Sequence, residues 1–192
     1  MKHGLLYTLG PIALIMVAFA TSPAQMQQVQ TVAPATVATT AVGPYYATPA
    51  WDQQLPASTR FIVLSNWGNA AVLDRETGLV WERSPSTTEF LWAKAPYLCN
   101  NLAVSNRKGW RLPTIQELAS LVDMSVPSSP KLPSGHPFMN VQSLFYTSAT
   151  TYAGNALGAW YVGFGNGLVS TDAKSVNHFV WCVRGGQGVD PQ

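Results

Sequence analysis

The chain has 192 residues, 47% of them apolar and only 10% charged, enough for one cored domain plus a tail. Its formal charge is +2, and loss of a leader carrying Lys2 lowers it to +1. That excludes the basic footprint of a nucleic-acid binder and any strong pull toward anionic surfaces.

Met1-Lys2-His3 is a short basic start, and Gly4 to Ala20 is an apolar run. Ala18-Phe19-Ala20 and Ser22-Pro23-Ala24 are both usable cleavage sites. The run is short and no basic stop-transfer flank follows, so residues 1–24 read as a secretory signal peptide, with an uncleaved anchor as the alternative. Export follows (periplasm, cell surface or medium), with no membrane span after cleavage. No Cys lies near the cleavage sites, which argues against a lipid anchor. Residues 25–50 hold Gln, Thr, Ala, Val and Pro without a charge and read as a flexible tether. Its Val and Thr content leaves room for a short strand. Tyr45, Tyr46 and Trp51 are candidates to pin its end onto the domain.

Residues 51–186 are the expected domain, and residues 187–192 a tail. Phe61-Ile62-Val63-Leu64 reads as a short buried strand. Ala71-Val72-Leu73 and Leu79-Val80-Trp81 flank Asp74-Arg75-Glu76-Thr77-Gly78, which predicts a hairpin. Gly78 supplies the positive φ and Asp74 a turn acceptor. Asp74 and Glu76 are read as turn chemistry in preference to a catalytic or metal-binding carboxylate pair.

Ser86-Thr87-Thr88-Glu89 has a capping-box pattern, after which Trp92, Ala95, Cys99 and Leu102 fall on one helical stripe. Pro96 conflicts with a helix that starts at Ser86, because mid-helix it removes a hydrogen bond and clashes with the turn before it. The helix therefore kinks there or begins near Pro96. Gly109-Trp110-Arg111-Leu112-Pro113 then leads into a second capping box, Thr114 with Glu117, and Ile115, Leu118, Leu121 and Val122 form one apolar face. Trp110 and Leu112 should be buried and Arg111 exposed.

Asp123 to Phe138, with Pro127, Pro130, Pro133 and Pro137, reads as a long loop, and its His136 as polar surface. Strands follow at 145–150, 159–164 and 168–170. Trp160, Val162 and Phe164 share a face, and Gly165-Asn166-Gly167 makes a hairpin turn. Phe179 to Arg184 reads as the last strand. The glycines at 163, 165 and 167 are no dinucleotide fingerprint, because no helix follows them.

Two cysteines are present, Cys99 on the first helix and Cys182 on the last strand. In an exported chain the simple reading is one disulfide, with a reactive or metal-binding pair as the rival. The seven Trp and seven Tyr are mostly expected in the core, although aromatic faces also stack on sugars.

Four ordered motifs resemble the Lcl C-terminal domain family: Asp74-x-x-Thr77-Gly78-Leu79-Val80-Trp81; Trp92-x-x-Ala95-x-x-x-Cys99-x-x-Leu102; Gly109-Trp110-Arg111-Leu112-Pro113-Thr114-x-x-Glu117-Leu118; and Trp181-Cys182-Val183-Arg184-Gly185-Gly186. The resemblance runs from about Arg60 to Gly186 and implies an α+β, C-type-lectin-like fold of the formylglycine-generating-enzyme-like branch. That fold has two helices on a twisted antiparallel sheet and a helix-to-last-strand disulfide. Pro96 departs from the family helix, and Phe145-Tyr146-Thr147-Ser148 from a Tyr-Trp-Ser-Ser pattern.

The relatives' chemistries do not transfer. Calcium-dependent lectins use Glu-Pro-Asn or Gln-Pro-Asp loops with Trp-Asn-Asp, which this chain lacks. Iron-binding relatives use three His, and His136 and His178 are the two beyond the leader. Formylglycine-generating relatives need free thiols. Asp172 and Glu117 offer no nucleophile–base pair. No catalytic residue, cofactor or metal is therefore expected. The resemblance puts a ligand face between Tyr146 and His178, with Tyr146, Tyr152, Asn155, Trp160, Tyr161, Asn166, Asp172, Asn177 and His178 as candidates. Aromatic faces stack on sugars, and Asn side chains bond hydroxyls; Trp160 and Trp181 also fit a core role. Some family members resemble receptors diversified by retroelements. The expected function is a non-catalytic, adhesin-like or receptor-like module for a glycan or surface protein. A self-assembling envelope or matrix protein is the alternative, and a formylglycine-generating-type or iron-dependent enzyme the third reading.

Overall fold

A computed structural model describes residues 39–41 and 55–185 as an α+β fold dominated by strands. The expected signal peptide, most of the tether with Tyr45, Tyr46 and Trp51, and the tail lie outside the described residues.

The first sheet has the order β1 (Thr39–Ala41), β2 (Phe61–Leu64), β3 (Ala71–Asp74), β4 (Leu79–Glu82), β11 (Val183–Arg184), β6 (Trp110–Arg111). A single helical turn, α1 (Ala57–Arg60), precedes β2. β1 runs parallel to β2 with Thr39 opposite Ile62, the short strand that the tether composition allows. The β3–β4 hairpin closes as expected: Gly78 has φ +69° and donates its amide to the Asp74 carbonyl at 2.8 Å. Asp74 and Glu76 also hold Arg60, at 2.8 Å and 2.9 Å, a buried ion-pair cluster that turn chemistry alone does not foretell.

This sheet is apolar on both faces, which is why its strands read as continuous apolar runs. Phe61, Val63, Val72 and Trp81 face one core with α3 (Ile115–Ala119) and the second sheet. Leu64, Ala71, Leu73 and Val80 face a second core closed by α2 (Ala95–Asn101) and Trp110. Trp67, Trp81, Trp110 and Trp181 are fully buried, so the core reading holds for most of the described tryptophans.

The second sheet has the order β5 (Glu89–Leu91), β10 (Asn177–Phe179), β7 (Phe145–Thr151), β8 (Gly158–Gly163), β9 (Leu168–Ala173). Four expectations are corrected here. The strands form two sheets rather than one, and each sheet contains a parallel pair, β1–β2 and β10–β7. The described helices number three, all short. Ser86 starts no helix: its hydroxyl accepts from the Thr88 amide at 3.1 Å, and Glu89 opens β5. Of the two expected alternatives, the start near Pro96 holds: α2 begins at Ala95 with Pro96 in its first turn, where a missing amide costs nothing. Finally, Phe179–Arg184 is not one strand. Phe179 ends β10, Val183 begins β11, and Val180-Trp181-Cys182 crosses between the sheets. Cys182 therefore lies just before the last strand. Its sulfur is bonded to that of Cys99, across a sequence separation of 83.

Candidate functional site

The second sheet has one face in the core and one turned outward. Tyr146, Val162 and Phe179 belong to the core. Strand alternation then sends their neighbours Phe145, Tyr161 and His178 to the outer face. On β9, Ser170 lies opposite Tyr161 and Asp172 opposite Ala159, so both share that face.

These residues converge. The Tyr161 and His178 rings lie 5.2 Å apart at 31°, and the Phe145 ring is edge-on to both, at 5.0 Å and 5.9 Å. Phe145 lies opposite Gly163, where a Cβ would come within 3.0 Å of its ring carbons; the bare glycine gives the ring its seat. His178 is 7% exposed and Phe145 36%. His178 Nε2 stands 3.2 Å from Asp172 Oδ2 but out of line for a hydrogen bond. Asp172 Oδ1 accepts from the Ala173 amide at 2.7 Å, which fixes the carboxylate.

Asp172 also borders a surface cleft of about 740 Å³, with Tyr152, Asn155, Thr171 and Lys174. Lys174 Nζ donates to Thr151 Oγ1 at 2.9 Å and lies 3.9 Å from the Trp92 ring centre. Tyr152 meets Trp160 edge-on at 5.8 Å. The result is a set of aromatic faces with a fixed carboxylate and an ammonium at one rim, a chemistry suited to hydroxyl-bearing or mixed polar ligands. A larger cleft, about 930 Å³, surrounds Arg60. Arg60 is occupied by Asp74, Glu76 and the Ser120 carbonyl, so that cleft offers no comparable open chemistry.

Of the sequence candidates, Tyr161, Asp172 and His178 come together, Tyr152 and Asn155 line the cleft, and Trp160 meets it only through the Tyr152 ring. Trp160 is half-buried against the core, and Trp181 is fully buried. Asn155 and Asn166 accept from the Leu157 and Leu168 amides at 3.0 Å each, so both hold loops. Asn177 sits opposite Leu91, on the side of the sheet away from β9. Tyr146 is a correction: it is 0% exposed, its hydroxyl accepts from the Gln142 amide at 2.8 Å, and burial pushes its pKa up to about 12. It belongs to the core and not to a ligand face. Sequence reasoning missed Phe145, Trp92 and Lys174. Phe145 was within reach, since in one strand it and Tyr146 must point opposite ways. His136 is also a correction. It stacks on Phe138 at 5.9 Å, and burial lowers its pKa.

Among the described residues, no three His, Cys, Asp or Glu side chains gather into a metal-holding group, and no helix is long and apolar enough to cross a membrane. The family model of the Lcl C-terminal domain matches residues 70–184. Comparison with curated proteins gives no match.

Proposed function

The chain belongs to the Lcl C-terminal domain family, and on that premise we propose that it is an exported, non-catalytic binding module of C-type-lectin-like fold that recognises a glycan or protein ligand on a surface. The observation that carries this reading is the convergence of Phe145, Tyr161, His178 and Asp172 on the outer face of the second sheet. The partly exposed Phe145 and Tyr161 rings beside a fixed carboxylate suit a sugar, whose apolar ring face stacks while its hydroxyls bond. The Cys99–Cys182 disulfide supports an oxidising compartment, and hence the signal-peptide reading. It also weighs against a formylglycine-generating-type enzyme, which needs free thiols. A structural protein that self-assembles through this domain is the second reading, favoured by the edge of β9, which no other strand covers among the described residues.

The test is a broad glycan array probed with the oxidised chain, with and without chelator. Selective binding that survives chelator and falls about tenfold in Tyr161→Ala, with an unchanged near-UV spectrum, is the expected result. A blank array overturns the glycan half and leaves a protein ligand. Loss of signal with chelator overturns the metal-free reading.

A further inference from the structure

We propose that β9 is a homodimerisation edge, through which two copies of this chain pair antiparallel about a two-fold axis at Ser170. Among the described residues no strand lies on the far side of β9. It is also the longest such edge, six residues against three in β1, three in β5 and two in β6. Edges left open in solution are normally blunted by proline, lysine, a bulge or short length. β9 has none of these: it pairs with β8 residue for residue along its whole length, Asp172 is its sole charge, and Leu168 and Val169 are 47% and 40% exposed.

The hydrogen-bond phase fixes which groups are open. Lys174 donates its amide to the Leu157 carbonyl at 2.8 Å, and Phe164 donates to Leu144 at 3.0 Å on the other side of β8. Antiparallel alternation then turns the main-chain groups of Ser170 and Asp172 toward β8, and those of Val169, Thr171 and Ala173 away from it. Ala173 is already satisfied: its amide goes to Asp172 Oδ1 at 2.7 Å and its carbonyl takes the Val176 amide at 2.9 Å. Val169 and Thr171 remain, each with an outward donor and an outward acceptor.

One antiparallel register uses all of them. It sets Val169 of each copy opposite Thr171 of the other, so that each amide meets a carbonyl, and it brings the two Ser170 side chains face to face on the axis. Each Asp172 then lies opposite a Leu168 and the two carboxylates stay apart, whereas a like-charged pair would oppose pairing. Val169 and Thr171 form β-branched cross-strand pairs. The edge is thus complementary to itself, which identifies the occupant as a second copy. A two-fold pairing consumes both edges and closes, so it makes a dimer and not a fibre. The axis stands perpendicular to the joined sheet, so the two outer faces look the same way. If these faces bind ligand as proposed, the dimer is bivalent; the pairing itself does not depend on that reading.

Sedimentation of the full oxidised chain without ligand should give the dimer mass. Thr171→Pro removes an amide that points away from β8, so it spares the sheet's own bonds; it should sediment as a monomer with an unchanged near-UV spectrum. Val169→Lys, which brings charge to the edge, should do the same and serves where the proline variant misfolds. Ser170→Cys should cross-link two copies on mild oxidation, and Asp172→Cys should not. A wild-type monomer at every soluble concentration overturns the proposal, as do folded Thr171→Pro or Val169→Lys chains that remain dimeric, or cross-linking that is as fast at Asp172→Cys. A ligand-binding monomer would refute the dimer alone, and a dimer with a blank array the glycan reading alone.

Discussion

Glu82 ends β4 with its carboxyl largely buried beside the crossing segment. Its Oε2 accepts from the Cys182 amide at 2.8 Å, and burial raises its pKa from 4.5 to about 7. Between those values the folded chain keeps a proton that the unfolded chain releases. Stability therefore falls as pH rises through that window and levels off above it. The shift corresponds to about 3 kcal/mol between pH 4 and pH 8. Glu82→Gln keeps an acceptor for the Cys182 amide and removes the ionisation. Denaturant unfolding at pH 5 and pH 8 should show the variant gaining on the wild type at the higher pH; equal slopes would mean that the carboxyl is wetter than its packing implies. Nothing near Glu82 in the sequence announces this, because its partners come from the other end of the chain. The outer-face site was more legible. The resemblance directs attention to the segment that carries Tyr161, Asp172 and His178, and the structure brings these three together. Tyr146 for Phe145 is an error of strand phase, and it resolves once Gly163 is seen to leave room for the Phe145 ring.

At the scale of elements, two capping-box patterns had opposite fates. Thr114 accepts from the Glu117 amide at 3.3 Å, and Glu117 accepts from the Thr114 amide at 2.9 Å, so α3 starts as its residues direct. The Ser86 pattern is just as good locally, but Phe90 finds a strand partner in His178, and non-local pairing outweighs a cap worth about 1 kcal/mol. Glu117 has a second task. Arg111 grips its carboxylate through both terminal nitrogens, at 2.7 Å and 2.6 Å, and donates to the Gly185 carbonyl at 2.8 Å. The helix cap thereby ties β6 to the end of β11. Thr114→Ala should cost about 1 kcal/mol, and Glu117→Ala about 2 kcal/mol, since it loses the cap together with a partly buried bidentate pair. Urea unfolding of both variants decides this: equal costs would mean that the Arg111 pair contributes nothing measurable.

At the scale of the molecule, the chain passes from the second sheet back to the first through three residues, Val180-Trp181-Cys182. Trp181 enters the core between the sheets, while Val180 and Cys182 enter the core beneath α2. All three are strand-forming and apolar, with no turn residue to mark a boundary. The sequence therefore reads them as one strand, and the division into two sheets is not legible there. The motifs that identify the family do mark the cysteines, and the bond between them ties this junction to α2. In the chain-entropy model, closing a loop of that separation, 83 residues, stabilises by about 4 to 5 kcal/mol at 25 °C. Cys99→Ala with Cys182→Ala should lose several kcal/mol of that, less the gain from any residual order in the unfolded chain. Because Trp181 and Cys182 are adjacent yet serve different cores, neither core can open without pulling on the other. The variant should still unfold in one transition, with near-UV signals from the buried tryptophans and far-UV signals from the sheets moving together. Separate transitions would mean that the disulfide is needed, beyond the crossing segment and the core the sheets share, to make the domain one cooperative unit.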